Sequence, residues 1–356
     1  MRDVRTGRSL HPNSLTSLAR HIFSQQISRS LDPRRRGART SPTCCCLPLD
    51  VRFANDFHVH ILPVDLNDRT SFRRFGVDRS TGSAARAEWK NVPMSKSEHV
   101  GLTANQVEAF IDDGFVKIEA AFSPDLAKQC RDALWAEIGL SADHPENWTE
   151  PVVRVAFNGS PPFVNAANTP RLHRAYDQLA GEGRWLPPEG LGSFPIRFPS
   201  PASPGDDGWH VDMSFGTENP DFMQWRANVT SSGRALLMLF LLSDVGPDDA
   251  PTRIRKGSHF TIARELLPYG TQGATLRQLS ADGYASTESC NIALATGAAG
   301  SVYLCHPFLV HAAQPHRGQR PRFMAQPPLL PKGAFDPAVA PSPVQIAIRR
   351  ACSLTF

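Results

Sequence analysis

The chain has 356 residues, 41% apolar and 20% charged, enough to form a sizeable core and too apolar for a wholly disordered protein. Its longest uninterrupted apolar run, residues 235–242, has eight residues, well short of the roughly 20 that a membrane-spanning helix needs. The net charge of +4 is unevenly placed: residues 1–93 carry sixteen basic and eight acidic side chains, and the rest is mildly acidic. No electrostatic track for nucleic acid is therefore expected on the folded part, and no membrane association.

The 25 Gly and 31 Pro show no Gly-X-Y period, which excludes collagen and favours a loop-rich β architecture. The seven cysteines, Cys44, Cys45, Cys46, Cys130, Cys290, Cys305 and Cys352, are odd in number and contain no CxxC pair. That pattern argues against a disulfide framework or a structural zinc site and points to a reducing compartment.

Residues 1–93 show no sustained periodicity, and up to Asp50 they are rich in Arg, Ser and Pro with few acids. They are expected to be a disordered or non-native basic leader, with Met94 opening the folded domain over 94–356. The expected location is cytoplasmic, the alternative being mitochondrial if the leader is a presequence.

From Leu102 the signals sharpen. Thr103 can cap a helix with Val107, Phe110 and Ile111 on one face, ended by Gly114. Residues 115–119 alternate as a short strand, with Val116 and Ile118 inward. Ser123-Pro124 then opens a second helix whose apolar face is Leu126, Cys130, Leu134 and Ile138. Beyond residue 140 the texture changes to short apolar runs separated by Pro and Gly. Residues 194–198, 235–245, 301–305 and 322–330 read as strands. The class expected is α+β, mainly β: a sandwich or barrel core with helices packed outside.

In Gly208-Trp209-His210-Val211-Asp212 a histidine and an aspartate stand two apart. Extended backbone puts both on one face, where imidazole and carboxylate can converge. Two histidines and one carboxylate with open positions suit non-haem Fe(II). A second histidine is then required, and His259, His306, His311 and His316 are the candidates. His311 follows a strand and an apolar run, and Arg322 lies on the next strand, where Arg320, Arg322, Met324 and Gln326 would share a face. A guanidinium there can hold a carboxylate bidentately. His259 also reads as a turn residue bonded to backbone. Trp209 faces away from the ligands, as core. Phe215 and Trp225 could line a substrate mouth or simply pack, and Arg197 could reach the site or be exposed.

His210-Val211-Asp212, the distal His311 and Arg322 together resemble the signature of the phytanoyl-CoA dioxygenase family. The resemblance runs from about Leu102 to about Ile348. It includes the opening LTANQVEAFIDDGFVKIEAAFSP and the Gly257-Ser258-His259 turn, where Lys256 replaces the family's usual proline. It implies a double-stranded β-helix (jelly-roll) core. It also implies an Fe(II)- and 2-oxoglutarate-dependent dioxygenase with His210, Asp212 and His311 as metal ligands. Arg322 would anchor the distal carboxylate of 2-oxoglutarate, with Thr252 near it. The partners implied are dioxygen and a small-molecule substrate, hydroxylated or otherwise oxidised as 2-oxoglutarate is decarboxylated to succinate. Halogenating relatives lack the carboxylate ligand, so Asp212 favours oxidation. The competing reading is a catalytically degenerate jelly-roll binding protein of the same family. The motifs specify neither the substrate nor an oligomeric state.

Overall fold

The computed structural model describes residues 101–334 and 339–353. The leader expected over 1–93, the proposed start at Met94 and the Cys44–Cys46 triplet lie outside the described residues.

The first elements follow from local capping. Thr103 Oγ1 accepts from Gln106 N–H, and Gln106 Oε1 accepts from Thr103 N–H, opening α1 (Ala104–Asp113). Gly114 ends it in the left-handed region at φ 84°, where a Cβ would press to 2.6 Å from Leu309. β1 (Phe115–Ile118) buries Val116 and Ile118 as the alternation predicts. Ser123 caps α2 (Pro124–Ile138). Its buried face is Ala127, Cys130 and Leu134, shifted slightly from the expected one, so that Leu126 and Ile138 are only half-buried.

Beyond residue 140 the expectation of mainly short strands holds only in part. The elements in order are β2 (Val152–Val155), α3 (Pro161–Ala167), α4 (Pro170–Ala180), β3 (Phe194–Arg197), β4 (Arg226–Ala227), β5 (Leu236–Leu241) and β6 (Arg253–Arg255). They continue as α5 (Ser258–Leu266), β7 (Ala274–Thr275), α6 (Leu276–Leu279), β8 (Ile292–Leu294), β9 (Val302–Cys305), β10 (His311–Ala312), β11 (Met324–Ala325), β12 (Pro328–Leu329) and α7 (Pro343–Cys352). Pro161, Pro170 and Pro343 open helices rather than interrupting strands, because a first-turn residue has no intrahelical use for its missing N–H. The run expected as one strand over 322–330 is split into β11 and β12. Gln326 N–H turns away to Ser193 O, and Pro327 has no N–H to donate.

The strands pair antiparallel. One sheet has the order β1-β9-β5-β11 with β12 also on β5, a second has the order β10-β6-β8, and β2–β3 and β4–β7 form small pairs. β5 is buried on both faces, which is why its sequence reads as an unbroken apolar run. Leu236, Met238 and Phe240 enter a large core with Phe110, Leu134, Tyr176 and Val344 from the helices. Leu237, Leu239 and Leu241 enter a smaller one with Ile254, Tyr303, Cys305, Leu309 and Met324, which joins the two larger sheets. Among the described residues no helix is long and apolar enough to cross a membrane.

Two histidines are built into the helical side. His259 on α5 reaches the Ile111 carbonyl at 2.9 Å, His306 reaches the Val344 carbonyl, and their rings lie 4.8 Å apart. Burial drives His259 down to about 4 and His306 well below its ordinary value, so both are neutral in the folded state. The unfolded chain takes up protons below about pH 6.5, whereas the native pair does not. This contribution is therefore full above about pH 6.5 and lost as pH falls toward about 4. For His259 alone it is on the order of 3 kcal/mol. The melting temperature should drop between pH 7 and pH 5, and His259→Gln should flatten that drop. An equally steep drop in the variant would assign the acid sensitivity elsewhere.

Candidate metal centre

His210 and His311 are brought together by the main chain. His210 N–H donates to His311 O at 2.9 Å and His311 N–H to His210 O at 3.0 Å, a single antiparallel bridge. Opposed residues in such a pair project to the same face, and the two ring centroids are 4.3 Å apart. Residues 209–212 join no regular strand beyond the His210 bridge, and Asp212 turns to the same side as His210. β10 is held in register by β6, where His311 opposes Ile254. Asp212 Oδ1 lies 3.9 Å from Nε2 of each histidine, and one ligating atom from each of the three residues lies within 4.8 Å of the others.

The donor set is prepared for a cation. Nδ1 of His210 sits 3.0 Å from Gly208 O, and Nδ1 of His311 sits 3.0 Å from Leu309 O. A carbonyl can only accept, so each Nδ1 carries the hydrogen and each Nε2 presents its lone pair toward the shared space. Burial and the neighbouring His210 bring His311 down to about 4, leaving it neutral, the ligating form. Burial alone would raise the Asp212 carboxyl, but the Arg234 guanidinium beside it holds it below the ordinary carboxylate value, so it is ionised. A metal bonding at about 2.1 Å reaches two donors up to about 4.2 Å apart, so both 3.9 Å pairs are already within span. The site opens on the side of His210, which is 24% exposed, while His311 is 2% exposed and closes the back.

Arg322 is fully buried and bonded to two carbonyls, Ala250 O through Nη1 and Pro195 O through Nη2. No carboxylate among the described residues forms an ion pair with it, and its Nε has no partner. Its main chain bridges Arg197, so two guanidiniums leave the same face of a two-residue bridge. Arg197 is not exposed: it is 2% accessible and held by Asp206, which Arg154 also contacts. Burial and Arg197 disfavour the charge on Arg322 by more than Asp206 supports it. A buried guanidinium with an unpartnered Nε–H and no carboxylate in direct contact is suited to receive an anion. Thr252, also buried, lies two residues from Ala250 and turns its hydroxyl toward Met324 Sδ.

The other histidine candidates are engaged with carbonyls elsewhere: His259 with Ile111, His306 with Val344 and His316 with Arg320. Trp209 faces away from the ligands, packed on the large core beneath the guanidiniums of Arg253 and Arg255 at 4.8 and 4.3 Å. Arg255 in turn donates to Tyr284 O and Thr287 Oγ1, and Tyr284 Oη accepts from Val211 N–H, bracing the strip that carries both His210 and Asp212. Phe215 pairs with Arg226 through the main chain, and Trp225 bonds to Asn219 O. Sequence reasoning missed Arg234, whose Nη1 lies 2.9 Å from Asp212 Oδ2. Its one trace in the sequence is a charge abutting the most apolar run of the chain.

A sequence profile described as Phytanoyl-CoA dioxygenase (PhyH) matches residues 83–324, more than half of the sequence. The chain belongs to the phytanoyl-CoA dioxygenase family. Among solved structures, it is similar to the non-heme alpha ketoglutarate dependent carbocyclase SnoK from nogalamycin biosynthesis, at 16% identity and TM-score 0.47, covering 65% of this chain and 85% of that one. It is similar to HygX from Streptomyces hygroscopicus, solved with nickel and 2-oxoglutarate bound, at 18% identity and TM-score 0.41 over 63% and 85% of the two chains. EctD from S. alaskensis, in its apoform, is similar at 22% identity and TM-score 0.41 over 64% and 76%. No curated protein matches the sequence.

Proposed function

We propose that this protein is an Fe(II)- and 2-oxoglutarate-dependent dioxygenase that hydroxylates or otherwise oxidises a small molecule, with residues 94–356 forming a double-stranded β-helix domain. The observation that carries the reading is the meeting of His210 Nε2, His311 Nε2 and Asp212 Oδ1 at one point, from positions about a hundred residues apart in sequence. The set is mixed N/O with one charge, which suits Fe(II) and leaves three positions for other ligands. Bound there, Fe(II) with 2-oxoglutarate and dioxygen would supply the oxidation of a substrate C–H to C–OH, with release of succinate and carbon dioxide.

The residues of this chain would bind, orient and shield. His210, Asp212 and His311 would hold the ion, their donor atoms oriented beforehand by Gly208 O, Leu309 O and Arg234. Arg322 would take the distal carboxylate of 2-oxoglutarate on its guanidinium, whose Nε–H is unpartnered, with Thr252 nearby, fixing the orientation of the co-substrate. Leu309, beside His311, and Cys305, whose thiol is pushed up by burial and then by Asp212, belong to the smaller apolar core and keep water from that side. The partly exposed edge at His210 is where a small substrate would approach.

The test is anaerobic reconstitution with Fe(II), followed by succinate measurement with a panel of small molecules and without one. One iron per chain and oxygen-dependent succinate release are expected, including slow release without substrate. Failure to bind any divalent ion at one per chain would overturn the reading.

A further inference from the structure

Arg234 is 3% exposed and stands at the end of the loop between β4 and β5. Its guanidinium makes two contacts on the same strip: Nη1 to Asp212 Oδ2 at 2.9 Å and Nη2 to Met213 O at 3.0 Å. The other carboxylate oxygen, Oδ1, is the one that faces both imidazoles. The two oxygens of Asp212 are thus divided, one toward the candidate metal position and one toward Arg234. We propose that Arg234 is a positioning residue that holds Asp212 to single-oxygen ligation of the metal.

The loop is built to deliver this side chain. Asn228 staples it: Nδ2 donates to Ser232 Oγ and Thr271 O, and Oδ1 accepts from Ser232 N–H and Thr230 Oγ1. Ser231 Oγ donates to Arg234 O at 2.8 Å. Gly233 has φ 80°, and a Cβ there would fall 2.1 Å from Ser214 O, so the loop passes against the segment just beyond Asp212 where only glycine fits.

A buried ion pair is weak evidence for stability, since desolvating both charges offsets much of their attraction. Freed from Arg234, Asp212 could rotate or chelate the ion with both oxygens. Chelation would occupy one of the three positions that co-substrate and dioxygen need. Partners outside the ligand shell that orient a ligand characteristically account for about 10- to 100-fold in metal affinity.

This inference rests on the reading of His210, Asp212 and His311 as ligands, and the experiment separates the two. Co(II) is the probe, titrated by calorimetry and by its visible absorption into the full chain and into His311→Ala, Arg234→Met and Arg234→Lys. If the unaltered chain binds no Co(II), or His311→Ala binds it equally well, the ligand reading fails and this inference with it. If binding depends on His311, Arg234→Met should change the absorption as Asp212 leaves single-oxygen ligation, and its affinity should move by about 10- to 100-fold, down where the carboxylate swings away and up where it chelates. Arg234→Lys, with a single donor point in place of a fork, should move the affinity only several-fold. Absorption and affinity both unchanged in Arg234→Met, with its fold intact by circular dichroism, overturn the positioning role. Should Arg234→Met fail to fold, Arg234→Lys decides: affinity and spectrum identical to the unaltered chain would overturn it.

Discussion

Replacing His311 with alanine is expected to abolish metal binding and, with it, turnover. The imidazole contributes one of three donors and is the most buried of them, 2% exposed, with Nδ1 already committed to Leu309 O. His259, His306 and His316 cannot take over, since each is held by a carbonyl away from the site. Iron per chain should fall from one to near zero. Succinate release should fall by at least about 10³-fold, equivalent to about 4 kcal/mol of lost transition-state stabilisation. Asp212→Asn should behave similarly in turnover, because it removes the negative charge that offsets the cation. An alanine variant that still carried one iron per chain would place the metal elsewhere.

Arg322→Met is expected to raise the 2-oxoglutarate requirement by about 10²- to 10³-fold without destabilising the protein in the absence of co-substrate. The effect is electrostatic. Arg322 is buried, lacks a carboxylate partner and stands beside Arg197, so burying its charge is costly until an anion arrives. A charge-assisted bidentate contact with that anion supplies the lost counter-charge. In the unaltered protein, 2-oxoglutarate at about 100 times its dissociation constant should stabilise by about 2.7 kcal/mol. The variant should lose that shift while keeping or raising its melting temperature without ligand. Arg322→Lys should not restore affinity, since an ammonium cannot reproduce the fork. A large loss of stability in Arg322→Met with no change in 2-oxoglutarate dependence would make Arg322 a structural residue that ties Ala250 to Pro195.

Much of the opening of the fold was legible from short-range patterns. Thr103, Gly114 and Ser123 mark element ends through bonds to residues within four positions, so the helix-strand-helix over 104–138 emerges where the sequence places it. The misreadings came where one residue type has two meanings. Pro161, Pro170 and Pro343 look like interruptions among short apolar runs, but each opens a helix. Pro327 cuts the expected strand over 322–330 because the pairing of β5 passes from β11 to β12 across it.

The candidate site divides along the same line. The His210-x-Asp212 spacing is a local fact, and extended backbone alone puts both side chains on one face. Four histidines remained open as the third ligand until the family resemblance singled out His311, and the bridge to His210 is what places it there. Arg234 carried no motif at all, because its meaning lies in Asp212, a neighbour in space and not in sequence.

What the amino-acid order determined unaided was therefore whatever depends on neighbours within a turn or a pleat: caps, alternation, and the paired imidazole and carboxylate. What only the tertiary structure decided was which distant groups oppose one another across strands, and how Arg197, Arg234 and Arg322 find or lack their counter-charges. The physical reason is range. Backbone sterics and capping bonds act over a few residues, whereas register between strands is set by burying both faces of β5 at once, a condition on the whole chain.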